Sequence, residues 1–390
     1  SWVTTVKTTG FTAVAGEGYF INTTGGVVTV NLPAGTAGAV VAVKDYAGTF
    51  DTNAVTLVQN GSDKIGGSTV NATLTTEGIA VTLVFIDSTQ GWLVTDSGLQ
   101  SEAPGAQYVT ATGGTITCSG NFKIHTFTGP GTFCVSSTGN PAGSTSVSYM
   151  VIAGGGGGAN NRGGGGGAGG FRESKAASDS YTASPLNATS GPGYNLPVSV
   201  QGYPVTIGAG ASGPAGCAAG TSGSDSIFSQ ITSTGGGGGA AGLVGVNGGS
   251  GGGGGYPTFA GGSGNTPPVS PSQGNNGGTS NSPDSGSGGG SAGAVGGASS
   301  TGTAGNGGAG VTTEITASPV TRAGGGGGSG TSAGGAAGPG GGGAGYVGPA
   351  GSNPNDDGTV NTGGGGGASR GGSAGGGGSG IVVIRYKFQN

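Results

Sequence analysis

Glycine sets the limits on what this chain can fold into. Of its 104 glycines, 82 lie after Met150, so residues 151–390 are about one-third glycine. They come in runs at 154–158, 163–167, 235–239, 251–255, 324–328, 340–343, 363–367 and 375–378. Glycine has no side chain to bury and loses the most backbone entropy on folding. The region is therefore either disordered or held by something other than side-chain packing.

Composition narrows that choice. Collagen needs a strict Gly-X-Y period with abundant proline; here the period is absent and the chain has 18 prolines. Flexible Gly/Ser linkers do not carry recurrent apolar segments, yet 147–153, 198–207, 227–231, 311–320 and 381–388 are apolar, and IVVIRYKF reads as a strand. Polyglycine in the polyproline II conformation, with three residues per turn and a rise of about 3.1 Å, offers another state. Such helices pack side by side, and each backbone N–H and C=O bonds a neighbour. A polyglycine II sandwich is the expected state of 154–380, with substantial disorder as its rival. In the sandwich, a valine at Gly237 or Gly326 breaks the local lattice.

The remainder reads as all-β, with almost no α-helix. Up to residue 100, YFINTT, GVVTVNLP, AVVAVKDY, AVTLVQN, VNATLTT, IAVTLVFID and GWLVTDS are short runs rich in Val, Thr and Ile, cut by turn residues. They predict a small sandwich or meander with Phe20, Ile21, Leu32, Val41, Val43, Leu57, Leu83, Phe85, Trp92 and Leu93 in its core. LQSEAPG at 99–105 reads as a linker. The domains expected are 1–100, a β-unit at 106–153 forming the base of the distal part, the glycine region at 154–380, and a closing strand at 381–390. Strand content is expected before Ala153 and after Gly380, the two flanking β-elements pairing into one base from which the glycine rods project. The inserts 171–202, 256–285 and 346–362 read as turn-rich loops between rods.

Net charge is −4 with 7% charged residues, which gives no electrostatic footing for nucleic acid. No stretch approaches 18 apolar residues, so no membrane span is expected. Ser1 is not an initiator and no signal peptide is visible. Matches to GxGxxG abound, as one-third glycine requires by chance, but none lies between a strand and an apolar helix. No GKS or GKT follows a run. His125 stands in a strand pattern without triad or metal partners nearby. Asp356 and Asp357 fit a solvated turn. No cofactor, no metal and no enzyme are expected.

Cys118 and Cys134, in TITCSG and TFCVSS, are either a disulfide on neighbouring strands or two small buried thiols; Cys217 is expected to be free. The inserts hold Tyr181, Tyr194, Tyr256, Phe259 and Tyr346. Exposed tyrosine among Ser, Gly and Asn suits adaptable recognition loops, and the same aromatics equally suit caps over rod ends.

Two sets of phrases carry a resemblance. GYFINTT, VTVNLPA, VVAVKDYAGTF, NAVTLVQNGSDKIGG, GIAVTLVFID and GWLVT over residues 1–97 resemble a β-domain of phage tail fibres and virion proteins, notably of marine cyanophages. ATGGTITCSGNFKIHTFTGPGTFCVS, YMVIAGGGGG, GGFRES, YTASPL, YPVTIGAG, SDSIFSQITSTGGGGG and SGIVVIRYKF over 107–390 resemble glycine-rich proteins of the same viruses. The chain is also similar in glycine architecture to distal adhesins of T-even-like phages, which bind host receptors through variable loops at the ends of polyglycine II rods. The resemblance implies a virion-exposed, extracellular fibre or adhesin. It would bind a host surface glycan or outer-membrane protein and other virion fibre or tail proteins. A homo-oligomer is expected, a trimer by preference. The alternative is a purely structural virion fibre or a capsid-decorating or filament protein. An ice-binding or secreted matrix protein is a third class, but ice binding wants a regular, flat Thr/Ala face with a tripeptide period, which this sequence lacks.

Overall fold

The structure is a computed structural model of the chain. It describes all residues except 100–105, 142, 192, 349–350, 352–355 and 390. The chain forms two compact units, Ser1–Gly105 and Ala106–Asn390. Beyond Leu99, the linker reading falls outside the described residues. Helix is absent from the described residues.

Unit 1 contains β1 (Trp2–Lys7), β2 (Phe11–Thr12), β3 (Glu17–Ile21), β4 (Val28–Asn31), β5 (Val40–Asp45), β6 (Val55–Val58), β7 (Ala72–Leu74), β8 (Ile79–Phe85) and β9 (Trp92–Leu99). They form two sheets, β1-β3-β5-β8-β9 and β2-β4-β6-β7. From β1 to β6 the chain alternates between the sheets, and like neighbours pair in parallel. The result is a coiled sandwich rather than a meander. Period-two burial follows from the pleat: Tyr19, Ile21, Val41, Val43, Leu83, Phe85 and Trp92 meet Val28, Val30, Val55 and Leu57 in one core. Phe20 and Leu93, expected in that core, are half-buried. Their neighbours Tyr19 and Trp92 hold the inward positions. Phe20 packs instead beside Trp2, with ring centroids 5.0 Å apart.

Unit 2 begins with β10 (Val109–Thr112), β11 (Thr115–Ser119), β12 (Phe122–Phe127), β13 (Gly131–Thr138) and β14 (Ser146–Ile152). It adds β15 (Phe171–Ser174), β16 (Leu196–Pro197), β17 (Gly202–Thr206), β18 (Ser226–Phe228), β19 (Ile231–Ser233), β20 (Val311–Thr313), β21 (Val320–Arg322) and β22 (Ile381–Lys387). The base sheets run β10-β13-β17-β18-β19 and β11-β12-β22-β14-β15. β22 lies between β12 and β14, antiparallel to both. On one face of β14 and β22, Val147, Tyr149, Val151, Val382, Ile384 and Tyr386 join the core between the sheets. On the other face, Met150, Ile152, Ile381 and Val383 pack with Phe171, Tyr181, Val311 and Ile315. Two buried faces explain why these strands read as unbroken apolar runs.

Strand content is not confined to the two ends of the glycine region. β15 to β21 lie within it, and residues 171–191, 193–206 and 226–233 fold into the base. The insert 171–202 is therefore part of the base and not a loop between rods.

The glycine runs are ordered by backbone bonds. In segment 154–159, Gly154 and Gly157 donate to Ser224 and Thr221, Gly155 and Gly158 to Gly378 and Gly375, and Gly156 and Ala159 to Gly167 and Gly164, all at 2.9–3.0 Å. Its carbonyls accept from three further segments, through Gly236 and Gly239, Ala211, and Gly366 and Ser369. The partner recurs every third residue, which is the repeat of the polyproline II conformation. Segment 163–170 repeats the pattern: Gly164, Gly167 and Gly170 donate to Ala240, Gly237 and Thr234. A Cβ on Gly156, Gly165 or Gly326 would stand 2.2, 2.1 or 2.0 Å from a neighbour's carbonyl oxygen. Those glycines admit no side chain for that reason, while the small side chains of Ala159, Ala168, Ser287 and Ser329 are buried at other lattice positions.

Candidate functional site

The lattice segments run alternately away from the base and back. Segment 154–159 leaves β14, and 163–170 returns to β15. Segment 323–329 runs antiparallel to 163–170, since Gly326 and Ser329 donate to Gly166 and Gly163. Turns therefore collect at two ends. The base-side turns include 265–273, where Gln273 accepts from the Phe171 N–H, and the β20–β21 hairpin. The distal turns include 160–162, 241–244, 256–259, 280–285, 300–303, 330–333, 346–348 and 369–373.

This division separates the aromatic candidates. Tyr256, Phe259 and Tyr346 are distal and half-buried. Tyr256 and Phe259 share one turn. Tyr346 caps another segment, with 163–170 and 323–330 between them: Gly253 donates to Gly165, Gly326 to Gly166 and Gly327 to Gly343. The guanidinium of Arg162 lies 5.0 Å from the Tyr256 ring centroid. No sequence signal gives Arg162 a role, because its contact to Tyr256 depends on the stacking order of the segments.

Two candidates lie on the base side. Tyr194 is 42% exposed, two residues before β16. Tyr181, expected in an exposed loop, is buried among Met150, Phe171 and Ile315. Burial raises its hydroxyl pKa above the ordinary phenol value, and the carboxylates of Glu173 and Asp179 push it further. Its ring instead helps to enclose the buried pair in which Arg385 Nε donates to Asp179 at 3.0 and 3.1 Å. The Arg385 guanidinium lies 4.5 Å from the Phe122 ring and 5.3 Å from the Tyr181 ring. Ser148 Oγ donates to Asp179 at 2.8 Å. A buried charge pair of this kind holds an insert in register; it is not a recognition surface.

The distal turns are cross-linked. Asp284 accepts from the hydroxyl of Ser282 at 2.6 Å, the N–H of Gly302 at 3.0 Å and the hydroxyl of Thr331 at 3.4 Å. These donors, the Ser282 hydroxyl first, hold its carboxyl below the usual range. One carboxylate thus ties turns 280–285, 300–303 and 330–333 together.

Cys118 and Cys134 are not on neighbouring strands. Cys118 pairs with Lys123 in the β12 sheet, and Cys134 with Thr112 and Gly202 in the other. Both are free and exposed, as is Cys217, so the expected bridge is not formed and neither thiol is buried. His125 is buried between β11 and β22. Its Nδ1 meets the Gly113 carbonyl at 2.7 Å and its Nε2 the Tyr386 hydroxyl at 3.1 Å. Burial lowers its pKa. Asp357 accepts from the Gly376 N–H at 2.7 Å, which ties it laterally to the segment that holds the 375–378 run.

Residues 127–387, more than half of the chain, match a family described as a glycine-rich domain. Residues 2–99 match the family described as bacteriophage T4 gp9/10-like protein, N-terminal. No curated protein matches the chain. The second match points to a structural component of a phage virion, and neither description is that of an enzyme.

Proposed function

The chain belongs to the glycine-rich domain family, and on that premise we propose that it is a phage fibre or adhesin whose distal turns contact the host surface. The observation that carries this is the partition of the turns. One set is absorbed into or against the base. The other presents Tyr256, Phe259 and Tyr346 at the far end of a lattice made of glycine runs with interspersed Ala and Ser. A rigid scaffold bearing variable turns suits recognition, since a turn can change sequence without disturbing the backbone bonds below it. Lattice segments spend their N–H and C=O groups on one another and keep few for a ligand. We read the lattice as stacked polyglycine II rods, and unit 1 as the part that joins other virion proteins. The assembled form in this proposal is a homo-oligomer, by preference a trimer, in a virus of the marine cyanophage kind.

The test replaces Tyr256, Phe259 and Tyr346 together by Ala in the full chain and measures adsorption to the bacterium that the phage infects. A loss of adsorption with an unchanged thermal transition supports host recognition. Undiminished adsorption removes it and leaves the structural fibre, the reading favoured by the gp9/10-like match alone.

A further inference from the structure

Three distal turns meet at one corner of the lattice. Turn 160–162 joins segments 154–159 and 163–170, turn 241–244 joins 234–240 and 245–249, and turn 256–259 joins 250–255 and 260–264. Backbone bonds lock the three together: Gly164 donates to Ala240 at 2.9 Å, Ala240 to Gly253 at 3.0 Å, and Gly255 to Leu243 at 3.1 Å. The side chains of Arg162, Leu243, Val244, Tyr256 and Phe259 therefore stand on one fixed patch.

That patch is unusual for this molecule. Leu243 is 60% and Val244 54% exposed, and Val246, 40% exposed, extends the apolar surface down the adjoining segment. Nothing about the turn requires branched aliphatics, because Gly, Ser and Thr close other distal turns such as 300–303. Arg162 lies over the Tyr256 ring and has no carboxylate partner among the described residues. Exposed aliphatic side chains on turns bonded to one that carries an aromatic ring and a stacked arginine have the composition of a protein-binding hot spot. A stacked guanidinium keeps its N–H edge free for a two-pronged bond to a carboxylate.

Resting on the reading of the distal turns as the host-contacting end, we propose that this corner docks an apolar, carboxylate-bearing loop of a host surface protein. A glycan is the poorer fit. Sugar rings need hydrogen-bonding groups around an aromatic face, and Leu243, Val244 and Val246 offer none. Aliphatic side chains gain only by excluding water against other apolar groups. The Arg162 cation at the corner selects a partner of opposite charge.

The full chain would be compared with three variants: Leu243→Ser with Val244→Ser, Arg162→Glu, and, as a control on the base, Val200→Ser, at a valine that is 63% exposed. Each would be tested for binding to intact cells of the bacterium that the phage infects, to cells shaved with protease, and to cells oxidised with periodate. Matching thermal transitions establish that the variants fold. The proposal expects both corner variants to lose at least about tenfold in binding (about 1.4 kcal/mol), Val200→Ser to bind as the parent, protease to abolish binding and periodate to spare it. Corner variants that bind normally overturn this proposal, and the triple-alanine variant above then decides whether host recognition stands. Binding that periodate destroys and protease spares makes the partner a glycan and overturns the proposal. So does a parent that sediments as a larger species than the corner variants, since the corner then docks a second copy.

Discussion

The base sheets and the glycine lattice belong to one compact unit, yet they satisfy the same backbone requirement by opposite means. In the base, strands pair with two neighbours in a plane, and side chains above and below exclude water from the ladder. In the lattice, segment 154–159 bonds to neighbours in six directions, and the backbone itself fills the space. Stability in the base depends on side-chain volume being present, and at the close-packed glycines of the lattice on its being absent. The two regions should respond to mutation with reversed sensitivity.

The largest effect is expected in the lattice. Gly326→Val puts a Cβ 2.0 Å from the Gly366 oxygen, and Gly237→Val puts one 2.0 Å from the Val246 oxygen. Backbone on both sides must part, and the destabilisation should exceed about 4 kcal/mol, the range of severe single substitutions. Chemical denaturation of the variants measures it. A parental midpoint for either would mean that the segments are not close-packed.

Removal is what harms the base. Phe133 is fully buried and stands edge-on to His125 and Phe228, at 5.1 and 6.0 Å between centroids. Phe133→Ala should cost about 3–5 kcal/mol through lost burial and the cavity left behind. The same denaturation series would show whether truncation here stays milder than addition in the lattice.

Acid should separate the regions next. His125 has a lowered pKa because burial disfavours its charged form, with Lys123 adding to the effect. The unfolded imidazole, near 6.5, takes up a proton first. Stability is then full above about pH 6.5 and falls as pH drops toward the lower folded value. Segments 154–159, 163–170 and 323–329 carry no titratable side chain. Exchange protection measured between pH 7 and 5 should fall around β12 and β22 before it falls in those segments. His125→Gln should flatten the dependence.

The smallest effect is a control within unit 2. Gly129, on the turn between β12 and β13, has no positive φ, and a Cβ added there would meet nothing within 4 Å. Gly129→Ala should change stability by less than about 1 kcal/mol. Equal costs for Gly129→Ala and Gly326→Ala would erase the contrast between the regions.

Much of this is legible from residue order. The seven runs up to residue 100 are all strands, because alternation of Val, Thr and Ile between turn residues is a local signal. β1 and β2 lack flanking turn signals of that strength and escape such a reading. The glycine runs announce close backbone approach, since no other residue permits it. What stays hidden depends on which distant segments meet. Asp179 and Arg385 are 206 residues apart, and nothing local to YTASPL shows that Tyr181 will be sealed beneath them. Cys118 and Cys134 look adjacent because β12 alone separates their strands in sequence, but the chain changes sheets between β12 and β13. Arg162 and Tyr256 meet only because the segment order brings their turns together.

The most direct test of the central claim is amide hydrogen exchange at the glycines of 154–158, 163–167 and 324–328 in the full chain near neutral pH. Bonding in all directions predicts protection comparable to that of β14 and β22, lost only with global unfolding. Exchange of those glycines at the rate of an unstructured chain, while β14 and β22 stay protected, would contradict it.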